Sequence, residues 1–119
     1  MKQVTIRNIA EILEAAILSN PDNLDVEIKW VCSTDLISNV LYYCLPNSLL
    51  ITGLIHPQVV RAAEIAGIEG IVFVQNNKPD TDTIELAKKQ SIPLLITPFC
   101  MFTASGKLFQ AGLTGCPKK

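Results

Sequence analysis

"SLLITGLIHPQVVRAAEIAGIEGIVFVQNNKPDTDTIELAKKQSIPLLIT", residues 48–97, decides the fold class. It holds three apolar runs, SLLITGL, GIVFV and IPLLIT, each short enough for a strand and nearly free of polar residues. Such runs are strands buried on both faces, and that burial belongs to parallel sheets. Between them lie amphipathic segments of helical period. Pro57 stands at a first helical position and Gly67 where a helix stops. Asp80 or Thr81 opens the second segment, TIELAKKQ. The pattern is strand, helix, strand, helix, strand, and it predicts an α/β fold with a mostly parallel sheet and helices on both faces.

Working outward, IPLLIT is followed by Pro98 and a last predicted helix over 99–112, then a tail, LTGCPKK, expected to fray. Upstream, STDLISNVLYYC reads as a helix over 33–44, with Ser33 or Thr34 as its cap and Asp35 in its first turn. In VEIKWVCS, Val26, Ile28, Trp30 and Cys32 alternate with other residues, which predicts a strand over 26–33. SNPDNLD is turn chemistry, and AIL before it a short strand. Thr5 caps a first helix whose apolar face is Ile6, Ile9, Ile12 and Leu13.

The chain's 119 residues make one domain, 1–119, with a core of its own. Hydrophobic residues are 49% and charged residues 18% of it, and the low charge points to surface covered by a second copy. Net charge is −1 and the ten basic residues are scattered, which argues against nucleic acid as a partner. The apolar runs are too short for a membrane span, and the first residues do not read as an export signal. A cytoplasmic protein is expected. Cys32, Cys44, Cys100 and Cys116 lie in no metal-binding spacing, and a single histidine does not complete a zinc set. The thiols are therefore expected to be reduced, with no metal and no cofactor.

Parallel sheets bind ligands at the carboxyl ends of their strands. That rule selects Ser33, Asp35, Thr52, Gly53, His56, Gln75, Asn76, Asn77 and Thr97, a polar rim suited to a sugar, a base or an amide. Each has a plainer role as well. Ser33 and Asp35 fit a helix cap, Asn76 and Asn77 a turn, Thr97 the cap of the last helix, and His56 a cap beside Pro57. No P-loop, dinucleotide fingerprint, nucleophile elbow or HExxH zinc motif is present.

VCSTDLISNVL, the 48–97 stretch and FTASGKL together resemble the DRTGG domain family, over roughly residues 5–113. These domains are akin to the N-terminal domain of HPr kinase/phosphorylase. They also occur in phosphotransacetylases and, with CBS domains, in regulatory inorganic pyrophosphatases. Where the family often has Asp-Arg, this chain has Ile55-His56, and where it often has Thr-Gly-Gly, Val74-Gln75-Asn76. The Thr52–His56–Val59 form resembles a stand-alone branch sometimes encoded near iron-only hydrogenase genes. The resemblance implies a non-catalytic regulatory or interaction domain, a homodimer, with a small nucleotide-like ligand or a protein partner. The competing expectation is an enzyme or redox accessory pairing His56 with a thiol, Cys32 or Cys100. A third is an adaptor for a hydrogenase system.

Overall fold

The structure, a computed structural model, describes residues 3–19 and 21–117. Its strands are β1 (Ala16–Ser19), β2 (Trp30–Ser33), β3 (Ser48–Thr52), β4 (Gly70–Phe73), β5 (Leu94–Ile96) and β6 (Thr114–Gly115). Its helices are α1 (Ile6–Ile12), α2 (Ile37–Tyr43), α3 (Pro57–Ala66), α4 (Thr81–Gln90) and α5 (Met101–Gln110), with a short 3₁₀ turn at Pro21–Asn23. The sheet runs β1-β5-β4-β3-β2-β6. Every pairing is parallel except β1 with β5, so the sheet is mixed and mostly parallel.

The strand period of two sorts the core into two layers. Leu49, Ile51, Val72, Val74 and Leu95 face α1 and α5, joining Ile6, Ile9, Leu13, Ala104 and Leu108. Leu50, Ile71, Phe73 and Leu94 face the other way, joining Val40 of α2, Val59, Val60 and Ala63 of α3, and Ala87 of α4. β3 and β4 are buried at every position, which is why their sequences show no polar alternation. The crossovers through α2, α3 and α4 share one face, and α5 takes the other.

Local chemistry sets the helix ends. Thr5 and Asn8 form a reciprocal capping box on α1. Pro57 is the first residue of α3, and Gly67 ends it at φ 75°, with Pro46 placed 3.3 Å from where a β-carbon would stand. Asp80, not Thr81, is the α4 cap, accepting from Thr83 N at 2.9 Å.

The structure differs from the sequence expectations in several places. Val26–Ile28 leaves the sheet and pairs with the chain before α1 (Ile6 N to Val26 O 3.1 Å, Ile28 N to Val4 O 2.8 Å), so β2 starts only at Trp30. α2 starts at Ile37, not near Ser33, and its cap position, Leu36, has no side-chain hydrogen bond. The expected turn over residues 19–25 holds the 3₁₀ segment, although Asn20 lies outside the described residues. Thr114–Gly115 is not frayed but adds a parallel edge strand beside Trp30–Val31, while Lys118 and Lys119 lie outside the described residues. The thiols are not all reduced. Cys32 and Cys44 form a disulfide, Cα–Cα 6.1 Å, because β2 and the end of α2 meet on one sheet face. Cys100 and Cys116 are free.

Candidate functional site

Parallel register puts the ends of β2, β3, β4 and β5 on one edge: Ser33 pairs with Ile51, Thr52 with Phe73, and Phe73 with Ile96. The nine residues selected from sequence therefore lie along one rim, but they do different work there.

Asp35 does not cap α2. Its Oδ1 accepts from Thr52 Oγ1 (3.1 Å) and from Gly53 N (2.7 Å), tying the loop after β2 to the end of β3. Both bonds fall on Oδ1, which leaves Oδ2 at the exposed rim. Thr52 is fully buried, and its hydroxyl also accepts from Leu54 N at 3.1 Å. Thr97 does not cap α5, where Cys100 holds that position. It is fully buried, donating to Leu13 O at 2.7 Å and accepting from Phe99 N at 3.3 Å. Ser33 turns to the α5 face, its Oγ 2.7 Å from Ser105 Oγ.

His56 occupies the cap position of α3, yet its side chain makes no cap hydrogen bond. Its Nδ1 lies 3.9 Å from Asp80 Oδ2, beyond hydrogen-bond reach and an ion pair only when the imidazole is protonated. Hydrogen bonds from the Thr83 hydroxyl and backbone hold the Asp80 carboxyl below its ordinary range, with a smaller contribution from His56. Ile37, Leu54, His56, Gln58 and Val59 line a hollow of about 290 Å³ here.

Gln75 and Asn76 form the exit from β4, both left-handed, at φ 56° and 54°. Their N–H groups donate to Phe99 O and Thr97 O, each at 2.9 Å, joining the β4 and β5 loops. Asn77 follows, exposed, its N–H donating to Val74 O at 3.0 Å. α4 leaves β4 on one face and α5 leaves β5 on the other. A sheet of this kind opens a ligand crevice at such a point. In the pattern that this stretch resembles, the two glycines of Thr-Gly-Gly fall on Gln75 and Asn76. The letters then serve backbone conformation, since glycine reaches positive φ without strain and glutamine does not. Gln75→Gly should accordingly raise stability by about 1 kcal/mol, a few degrees in melting temperature. Asn76→Gly should gain less, because Asn tolerates this region. A melting temperature that falls in Gln75→Gly would contradict the motif's backbone role.

The Cys100 thiol is displaced toward its thiolate. Thr103, through its hydroxyl 3.4 Å from Sγ and its backbone, lowers the pKa below the ordinary thiol value. Cys32 is spent in the disulfide, so the expected pairing of His56 with Cys32 does not exist in this state. Among the described residues no group of three or more His, Cys, Asp or Glu side chains is placed to hold a metal ion. Neither the Asp35–Gly53 tie nor the Cys32–Cys44 bond has a local sequence signature. Both are cross-element contacts, the first appearing once β2 and β3 are paired and the second once α2 packs back against β2.

With the rim placed, the family model of the DRTGG domain matches residues 8–111. The chain belongs to the DRTGG domain family. DRTGG domains are regulatory, not catalytic. Among curated proteins, none matches the chain. Among solved structures, it is similar to the CBS and DRTGG domains of the regulatory region of Clostridium perfringens pyrophosphatase, complexed with its activator, diadenosine tetraphosphate. The TM-score is 0.73 at 21% identity, over 90% of this chain and 46% of that one, so this chain spans about half of its length. At that identity the likeness speaks for the fold. Among the described residues no helix is long and apolar enough to cross a membrane.

Proposed function

We propose that residues 1–119 form one DRTGG domain, a cytoplasmic regulatory module that senses a nucleotide-like ligand at the rim and works as a homodimer. The observation that carries the ligand half is the shared edge. Asp35, Gly53, His56, Gln75, Asn76 and Asn77 present side chains or backbone there, while Thr52 and Thr97 fix the loops from within. Closer kinship with the N-terminal domain of HPr kinase/phosphorylase belongs to the same reading. So does the pyrophosphatase regulatory region, solved with diadenosine tetraphosphate, which makes adenine nucleotides the first ligands to try.

Chemistry narrows the class. Asp35 and Asp80 offer carboxylate oxygens at the rim, Gln75, Asn76 and Asn77 are uncharged amides, and His56 adds an imidazole. Such a set suits ribose hydroxyls and the amine edge of a base better than phosphate oxygens. A thermal-shift screen of adenine nucleosides, mononucleotides and dinucleoside polyphosphates tests it. A ligand at 100 times its dissociation constant adds about 2.7 kcal/mol of stability, and His56→Ala should remove much of that gain. If no compound moves the melting temperature, the ligand half fails.

The dimer half rests on the sheet edge at β2 and β6. Phe102 and Phe109 of α5 are 86% and 69% exposed, and both border an apolar groove of about 330 Å³ with Val31, Leu113 and Thr114. Aromatic surface of this size is characteristic of a covered face. Light scattering at micromolar concentration should return twice the chain mass, and Phe102→Glu should halve it. A wild-type monomer would remove the dimer.

A further inference from the structure

Three sulfurs gather on one face of the sheet. Cys32 packs against the α2 and α3 layer, and Cys44, buried at the C-terminal cap of α2, belongs to that layer. The third is Cys116. β6 ends at Gly115, beside Val31 on the outer side of β2. Ser48 lies on β3, the other neighbour of β2, and alternates with Leu50 onto the α2 face. Yet Cys116 Sγ is 3.4 Å from Ser48 Oγ. To make that contact, Cys116 must reach across β2, over the strand that carries Cys32. Cys32 and Cys116 also line one hollow with Tyr42, Tyr43 and Pro117, while Cys44 is only 6% exposed. The disulfide thus shows its Cys32 side to the same open space as the free thiol.

We propose that Cys32, Cys44 and Cys116 form a thiol–disulfide exchange centre with two cross-linked states. The Cys116 thiolate attacks Sγ of Cys32. A Cys32–Cys116 bond forms, the Cys32–Cys44 bond breaks, and Cys44 leaves as a thiolate that takes up a proton from water, as Cys116 gave one up. The step is an exchange, so no electrons are gained or lost and no outside oxidant is needed. In one state the cross-link pins the end of α2 to β2. In the other it pins the C-terminal segment to β2 and frees the end of α2. The loop between Cys32 and α2 carries Asp35, whose bonds to Thr52 and Gly53 hold the rim, so the exchange acts on the carboxyl edge from behind. Cys100, on α5, stands outside the centre.

Disulfide mapping tests this without any ligand, so its outcome is independent of the ligand proposal. The folded chain, with Cys100→Ser to remove the remaining thiol, is held at pH 8, quenched in acid, alkylated and digested. A Cys32–Cys116 peptide should appear, with alkylation moving from Cys116 to Cys44 in the same fraction of molecules, and Cys116→Ser should abolish the shift. Cys44→Ser treated with oxidised glutathione should convert largely to the Cys32–Cys116 form. That peptide in either protein supports the centre, and circular dichroism confirms that each is folded. Its absence from the Cys100→Ser protein and from every folded Cys44→Ser sample overturns the proposal.

Discussion

Reduction of the Cys32–Cys44 disulfide is expected to lower the melting temperature by on the order of 10 °C. The bond closes a loop across a sequence separation of 12. Constraining the unfolded chain over a loop of that size contributes about 3 kcal/mol, which for a domain of this length is a shift of roughly that size. The loss has a place in the fold. α2 is a seven-residue helix without a side-chain cap, and its buried residue is Val40, so propensity alone does not hold it. The disulfide anchors its C-terminal end, and its N-terminal end hangs on the loop that Asp35 ties to β3. Cys32→Ser, which removes both cross-links available to the centre, should melt with the reduced wild type whatever the redox buffer. Oxidised and reduced wild type with superimposed melting curves would show that the bond contributes nothing.

Thr97→Val is the second large effect, at about 2 kcal/mol. The shapes are nearly the same, so the change isolates the hydroxyl. Thr97 Oγ1 donates to Leu13 O at 2.7 Å in a site with no exposure, and it accepts from Phe99 N at 3.3 Å. Its removal leaves a buried carbonyl at the end of α1 short of its donor, and that desolvation is the main cost. The bond also joins two elements far apart in sequence, the end of α1 and the exit of β5. Because Asn76 N donates to Thr97 O, the β4 turn should loosen with it. Urea unfolding measures the first effect and amide exchange at Asn76 the second. Unchanged stability in Thr97→Val would mean that the Leu13 carbonyl finds another donor.

The parts of the fold legible in the sequence are those set by local rules. β3, β4 and β5 announce themselves as apolar runs because both faces are covered, and Pro57 and Gly67 bracket α3 because each fixes a backbone conformation. Pairings between distant segments were not legible. Val26 and Ile28 alternate like sheet residues, but they flank a single antiparallel bridge, Glu27 with Thr5, outside the main sheet. Thr114–Gly115 is too short and too polar to read as a strand, and it is one because β2 offers an open edge. The rim divides in the same way. Strand-end position was enough to place the nine selected residues along one edge. Which of them are spent inside the fold, as Thr52 and Thr97 are, depends on burial and on partners many residues away. Asp35 is the clearest case. Its place after a strand reads as a helix cap, and only the pairing of β2 with β3 brings Gly53 N within its reach.

The rim as a ligand site is most directly tested by titrating an adenine nucleotide into isotope-labelled protein and following the backbone amides by NMR. The expected result is a set of saturable shifts at Asp35, Gly53, His56 and Gln75 to Asn77, with the β6 edge and the α1 face unmoved. Amides that stay still throughout, or shifts confined to another surface, would contradict it.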